Sequence, residues 1–268
     1  MQPIVTGELH AEDQANAARV YDLLLGGSHN FASDRAFAAQ VRAAWPDAER
    51  TMRANRAFLG RAVRYLASQA GIRQFLDIGS GLPTMGNVHE VAQQAAPDAH
   101  VVYVDSDPVA VQHSRVLLEG TSTAAAIHAD LCHPREILAD PELRTLLDLT
   151  RPIGLLLVAI LHFLPDEQHP AAPVAWLRDQ LPTDSYLVIS HATADGQGTE
   201  VTHAADMYAS AMPSFQLRTH AEISEFFGGF ELVEPGLVFL PRWRPDIQRR
   251  ADVKAEPVAG YGGAAVKR

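Results

Sequence analysis

Phe75-Leu76-Asp77-Ile78-Gly79-Ser80-Gly81 is an apolar run that carries an acid and stops at two glycines, and Val101-Val102-Tyr103-Val104-Asp105 is a second apolar run that stops at an acid. Glycines at the end of a strand let the backbone approach a ligand closely and aim its N–H groups at it. A carboxylate closing the next strand accepts hydrogen bonds from a ribose diol. Together these residues describe the floor of a nucleotide-type pocket at the carboxyl edge of a parallel sheet. Leu82-Pro83-Thr84 follows Gly81, so the third glycine of GxGxxG is missing. A dinucleotide fold uses that glycine where helix and strand close around a pyrophosphate, which makes an NAD-dependent oxidoreductase the weaker reading. The Walker pattern GxxxxGK[ST] is also absent, and nucleoside triphosphate hydrolysis has no support. The competing reading of the glycine pair is a tight structural turn.

Other chemistry-bearing residue types lack the partners their chemistry needs. His128, Cys132 and His133 include zinc-ligating types, but no CxxC or HExxH partner accompanies them, and no metal site is expected. Ser80 and Ser28 lie outside a GxSxG elbow, so serine hydrolysis is unsupported.

The elements that position the acids and glycines follow from periodicity. Residues 1–70 read as helical. Ala18, Tyr21 and Leu25 share one helical face, and Gly26-Gly27 ends that helix. Ser33 is an N-cap for a second helix that stops before Pro46, and a third runs from about 49 to 70. In the third, Phe58, Ala62, Tyr65 and Leu66 form an apolar stripe from which Arg53, Arg56 and Arg64 face away. From residue 74 the period changes. Apolar runs at 75–78, 100–104, 124–128, 153–160 and 186–189 alternate with helix-like segments, the pattern of parallel pairing through right-handed crossovers. Runs so uniformly apolar suit strands covered on both faces. Thr219 and Glu222 make a capping box before a short helix that ends at Gly228-Gly229. Residues 230–233 and 237–240 then read as two strands joined at Pro235-Gly236. The tail from about Pro245 has little apolar content, and fraying is expected there. The expected organisation is a helical cap over 1–70, a ligand-binding domain over 71–245 and a C-terminal tail over 246–268.

Composition narrows the class. The chain has 268 residues, 47% of them hydrophobic and 20% charged, enough to bury a sizeable core. Its formal net charge of −10, with no long basic run, makes a nucleic-acid partner unlikely. The longest apolar run, 153–161, has the length of a buried strand, so neither a membrane span nor a signal peptide is expected. A single cysteine, Cys132, permits no intramolecular disulfide and fits a reducing compartment, so the expected location is the cytoplasm.

The sequence resembles a known family. Residues 75–81 resemble the first motif of class I S-adenosylmethionine-dependent methyltransferases, Val102-Tyr103-Val104-Asp105-Ser106-Asp107-Pro108 the second, Ile127-His128-Ala129-Asp130-Leu131 the third, and the stretch from Leu157 to Pro165 the fourth. Arg19-Val20-Tyr21-Asp22-Leu23-Leu24-Leu25-Gly26-Gly27, Asn30-Phe31 and Asp34-Arg35 resemble the N-terminal signature of an actinobacterial methyltransferase family first catalogued as a domain of unknown function. Asn55-Arg56-Ala57-Phe58-Leu59, Gly79-Ser80-Gly81-Leu82-Pro83-Thr84, Pro235-Gly236-Leu237-Val238 and Trp243-Arg244-Pro245 fit the same family. The resemblance implies a Rossmann-like, doubly wound α/β fold. Its seven-stranded sheet has order 3-2-1-4-5-7-6 with the last strand antiparallel, under an N-terminal helical cap.

The resemblance further implies S-adenosylmethionine as cofactor, S-adenosylhomocysteine as product and an unidentified small-molecule acceptor. Gly79, Ser80 and Gly81 pass under the methionine part of the cofactor in this reading, with Asp77 near its amino group. Asp105 accepts from the ribose hydroxyls, and Ser106 sits beside the adenine. Asp130 accepts from the adenine amine, Leu131 walls the ring, and the Ala159 backbone touches the cofactor. Several residues keep two readings. His162, after the fourth strand, is either a general base, since a free histidine titrates near 6.5, or a packed side chain beside the cofactor. His191 and His29 are weaker candidates. Tyr21 and Asn30 either close over the cofactor as part of a lid or belong to an ordinary helix terminus with Tyr21 in the core. Arg53, Arg56 and Arg64 either hold an anionic group or form a solvated, ion-paired face. A non-catalytic S-adenosylmethionine-binding regulatory protein has the same pocket signature and is the alternative function.

Overall fold

The computed structural model describes residues 14–83, 86–212, 214–246 and 257–268; Thr84 and residues 247–256 of the expected tail lie outside the described residues. Three helices open it: α1 (Ala17–Leu24), α2 (Ala32–Ala44) and α3 (Ala48–Ser68). The Asn16 side chain caps α1 by accepting from the Ala18 and Arg19 N–H groups. Helix α2 starts earlier than Ser33 implies. Asp34 is the reason, because its Oδ2 accepts from the Phe31 N–H and from Arg19 Nε, at 2.8 and 2.7 Å. The buried Arg19–Asp34 pair thereby staples α1 to α2.

Five parallel strands follow: β1 (Gln74–Ile78), β2 (His100–Asp105), β3 (Ala124–His128), β4 (Gly154–Val158) and β5 (Tyr186–Ala192). Successive side chains alternate between faces. Phe75, Val101 and Leu156 join the core built with the second half of α3. Leu76, Val102 and Leu155 join a second core on the opposite face, with Ile137, Leu143 and Val174. Both faces are covered, which is why the strands read as nearly continuous apolar runs. Helix α3 also serves the cap. Its Ala48 and Met52 pack with Val20, Leu24 and Phe37 in a third cluster, joined by Tyr208 from a later helix (Thr199–Ala211).

The sheet order is β3-β2-β1-β4-β5-β8-β6, with β6 (Glu231–Leu232) and β7 (Val238–Phe239) both pairing with β8 (Gly260–Val266). Strand β8 runs antiparallel to β5 and takes the place of the expected last strand. The residues that form it are a correction. The tail does not fray at 260–266, and the segments at 230–233 and 237–240 do not pair with each other as a hairpin. Both lie against β8, which is buried along its whole length. Its sequence is mostly glycine and alanine because neighbouring side chains crowd its backbone. A Cβ on Gly262 would stand 2.8 Å from the Phe58 ring and 2.9 Å from Leu240. The run of small residues therefore marks close packing here, not exposure.

Overpacking of this kind costs roughly 1–3 kcal/mol. Gly262→Val is expected to lower the urea midpoint by a corresponding amount at unchanged slope. A wild-type midpoint would show that β8 is not held as described.

Candidate active site

Order in the sheet reverses at β1, which lies between β2 and β4. Open α/β sheets bind ligands at such a switch point, beyond the carboxyl ends of the strands. A cavity of about 560 Å³ opens there, lined by the ends of all five parallel strands and roofed by the cap helices. That volume lies in the range of small-molecule and cofactor sites.

The glycine turn is shaped by its surroundings. Gly79 has φ +74°, and a Cβ there would stand 2.6 Å from the Ile160 side chain. The Gly79 N–H donates to the Val104 carbonyl at 2.8 Å. Gly81 has φ +64°, and its N–H donates to Asp105 Oδ2 at 2.7 Å, while Oδ1 of the same carboxylate accepts from the Asp107 N–H at 2.9 Å. Asp105 thus ties the glycine turn to the start of the next loop. Each oxygen still has a lone pair for a ligand hydroxyl. Burial raises the Asp105 carboxyl above its ordinary value, opposed by these N–H groups.

Asp77, buried at the end of β1, is pushed up to about 7, first by burial, against the lowering effect of Arg56 and with a further raising effect from Asp105. Asp130 lines the cavity after β3 and accepts from the Cys132 N–H. Ser106 and the buried Leu131 line the same end. Ala159, after β4, has φ +57°, unusual for a residue with a Cβ, and its N–H is shared between the Ser190 hydroxyl (3.0 Å) and carbonyl (3.2 Å). The Ser190 hydroxyl donates to Asn55 Oδ1 at 2.6 Å, Asn55 Nδ2 donates to the Tyr21 hydroxyl at 3.0 Å, and that hydroxyl donates to the Met52 carbonyl at 3.1 Å. This chain of hydrogen bonds runs from cap to sheet. Tyr21 is therefore a fixed wall of the cavity.

Asn30 does not reach the cavity. Its side chain bonds the Gly27 carbonyl and Arg35, closing the turn between α1 and α2. His29 is also turned away, in edge contact with His113. The three candidate arginines separate. Arg53 pairs with Glu49 at 2.8 Å and Arg64 with Asp246 at 3.5 Å, both exposed. Arg56 lines the cavity, and its Nε is buried with no hydrogen-bond partner. Thr51 and Asp107 line the same cavity; the Thr51 hydroxyl is buried without a hydrogen-bond partner, and Asp107 Oδ2 lies 4.0 Å from Arg19 Nη1.

His162 lines the other end of the cavity. Burial, then the neighbouring His191 and Arg218, hold its imidazole well below the ordinary value. The ring is therefore neutral at pH 7. The Ala192 N–H donates to His162 Nδ1 at 3.4 Å, which leaves the ring proton on Nε2. In that tautomer the ring offers the cavity a donor, not the lone pair that a general base requires. His191 is occupied: Nε2 accepts from Arg218 at 2.9 Å and Nδ1 donates to its own neighbour's carbonyl, Ala192, at 2.7 Å.

A family model described as S-adenosyl methyltransferase matches residues 8–268. This chain belongs to that family. Among solved structures, a protein of the DUF574 family from Streptomyces avermitilis MA-4680 is 45% identical, with TM-score 0.91 over 96% of this chain and 99% of that one. A candidate methyltransferase from Thermobifida fusca YX is 40% identical, with TM-score 0.88 over 95% of this chain and 96% of that one. The mitomycin 7-O-methyltransferase MmcR shares the fold alone, at 14% identity and TM-score 0.52, over 93% of this chain and 68% of that one. No curated protein matches the sequence. S-adenosylmethionine is the cofactor of the family, so the chain is an S-adenosylmethionine-dependent methyltransferase by membership. No helix among the described residues is long and apolar enough to cross a membrane.

Asn55→Ala would leave the Ser190 and Tyr21 hydroxyls without their shared partner. A loss of about 1–3 kcal/mol of stability is expected, read by urea unfolding, with the sheet's far-ultraviolet signature unchanged. An unchanged midpoint would mean that the cap-to-sheet connection carries no weight.

Proposed function

We propose that this cavity binds S-adenosylmethionine across β1, β2 and β3 and presents its methyl group to a small-molecule acceptor held beside His162. One observation carries the reading. A single cavity has carboxylates, a glycine turn and Arg56 at one end, and is uncharged at the other among its described lining residues.

The residues present fit the cofactor. Asp105 would accept from the ribose hydroxyls and Asp130 from the adenine amine, with Leu131 against the ring and Ser106 at its edge. Asp77 would face the amino group, and the Arg56 guanidinium the carboxylate. The glycine turn permits close backbone approach, and the Ala159 backbone would border the methionine part. When bound, S-adenosylmethionine supplies a methyl group on a positively charged sulfur, whose in-line transfer to a nucleophile leaves the neutral thioether S-adenosylhomocysteine. The chain contributes position and exclusion of water. Tyr21, Met52 and Tyr208 wall the cavity on the cap side, and the Asn55–Ser190 bond holds that wall against the sheet. An acceptor that carries a proton on the attacked atom loses it to solvent as the methyl group arrives in this reading, because His162 is neutral and carries its proton on Nε2. His162 orients rather than deprotonates.

Asp77 gives a pH-dependent test. With its folded value near 7, the free protein carries a neutral Asp77 carboxyl below that pH. The cofactor's ammonium group favours the carboxylate, so binding below about pH 7 expels a proton. Calorimetric titration with S-adenosylhomocysteine near pH 6 is expected to show proton release, seen as an enthalpy that depends on the buffer's ionisation heat. The dependence should fade near pH 8 and vanish in Asp77→Asn. Arg56→Leu should weaken binding by about tenfold or more, the scale of one charge-assisted hydrogen bond. Absence of S-adenosylhomocysteine binding by the folded wild type would contradict the proposal.

A further inference from the structure

Beyond the part assigned to the cofactor, the cavity has a second half whose chemistry specifies an acceptor class. Trp45, Met52, Phe163, Tyr208, Met212 and Phe215 line it, and none of the described residues there carries a formal charge. The aromatic rings already pack on one another. Tyr208 and Phe215 stack with centroids 4.9 Å apart and planes 28° apart, and Phe163 meets Phe215 edge-on at 5.5 Å. Such a wall accepts a further flat ring by offset stacking or edge contact, and the methionines adapt to its outline. A charged guest would be desolvated there without a partner.

Beside the Tyr208 hydroxyl and Ser214, this wall carries the imidazole of His162. His162 meets Phe163 at 4.6 Å and Phe215 at 5.3 Å, and its Nε2 makes no hydrogen bond among the described residues. Its surroundings fix it. Arg218, itself buried, donates to the carbonyls of Leu161 and Leu164 on either side of His162, both at 2.9 Å. The Gln216 N–H donates to the His162 carbonyl at 2.7 Å. The side chain is thus held in place before any ligand arrives, and its orientation costs the complex little further ordering.

From this we infer that the acceptor is an uncharged, planar aromatic molecule bearing an oxygen that accepts a hydrogen bond from His162 Nε2. The inference rests on the methyl-transfer reading above. Phe163, Tyr208, Met212 and Phe215 set the selection for a flat apolar body, and His162 sets the register of the oxygen. Acceptors that carry a carboxylate, a phosphate or an ammonium group are disfavoured.

Four probes of matched size test the class: naphthol, naphthoate, naphthylmethylammonium and the saturated decalol. Each is titrated calorimetrically into the full chain saturated with S-adenosylhomocysteine at neutral pH. Naphthol is expected to bind at least about tenfold tighter than each of the other three. His162→Phe keeps an aromatic ring and removes the donor. It should weaken naphthol by about tenfold and leave S-adenosylhomocysteine affinity unchanged, which also reports that the variant is folded. Met212→Glu should shift the preference from naphthol to naphthylmethylammonium. Equal affinity for all four probes, a preference for a charged one, or no naphthol binding would overturn the inference while S-adenosylhomocysteine binding left the cofactor reading standing. Unchanged naphthol affinity in His162→Phe would remove the donor role. Failure of S-adenosylhomocysteine itself to bind the wild type would overturn both.

Discussion

The Asp105 carboxylate, held by the N–H groups of Gly81 and Asp107 at 2.7 and 2.9 Å, is the interaction on which the cofactor end of this site depends. Strands β1 and β2 are neighbours, but sheet hydrogen bonding alone does not dictate the path of the loops beyond them. The carboxylate does, by tying the turn after β1 to the loop after β2. Gly79 completes the constraint, since the Ile160 side chain occupies the space where any Cβ would go. The same acid that shapes the loop keeps lone pairs free for a ligand's hydroxyls. Structure and recognition therefore fall on one side chain, and its burial raises the cost of holding it ionised.

A second constraint joins the cap to this floor. The Tyr21–Asn55–Ser190 chain ends on the Ala159 N–H, at the residue whose left-handed backbone turns β4 toward the cavity. The helix Thr199–Ala211 contributes Tyr208 to the cap core, where its ring meets Phe37 edge-on at 5.1 Å. The cavity wall is therefore assembled from widely separated stretches of the chain, and its two ends differ in kind. Carboxylates and Arg56 gather beside β1 to β3, and aromatic and sulfur-bearing side chains gather beside the cap.

Much of the site was legible because strand-terminal acids and glycines are local features. Asp77, Gly79, Ser80, Gly81, Asp105, Ser106, Asp130, Leu131, Ala159, His162 and Tyr21 all line one cavity. Arg56 was harder to single out. A helical period assumes one buried face, whereas α3 is buried on two, against the sheet through Phe58 and Leu66 and against the cap through Ala48 and Met52. Arg56 sits at the edge between them. The tail misled for the opposite reason: glycine and alanine make up most of β8, and their small or absent side chains give little strand signal. The Thr199–Ala211 helix carries alanine, threonine and serine on several sides, so its period is weak. Asn30 belongs to a specific sequence signature, yet its bonds to Gly27 and Arg35 show a signature residue shaping a turn instead of touching the cavity. The tautomer of His162 depends on the Ala192 N–H thirty positions away, a contact no spacing rule encodes.

The central claim is that one cavity, floored by Asp105 and the glycine turn, holds the cofactor with its sulfur toward His162. The most direct measurement is a crystal structure of the full chain with S-adenosylhomocysteine. The expected result places the ribose hydroxyls on Asp105, the carboxylate on Arg56 and the sulfur facing the aromatic half of the cavity, with the Gly81–Asp105 bond intact. A ribose bound away from Asp105, or a ligand in any other cavity, would contradict it.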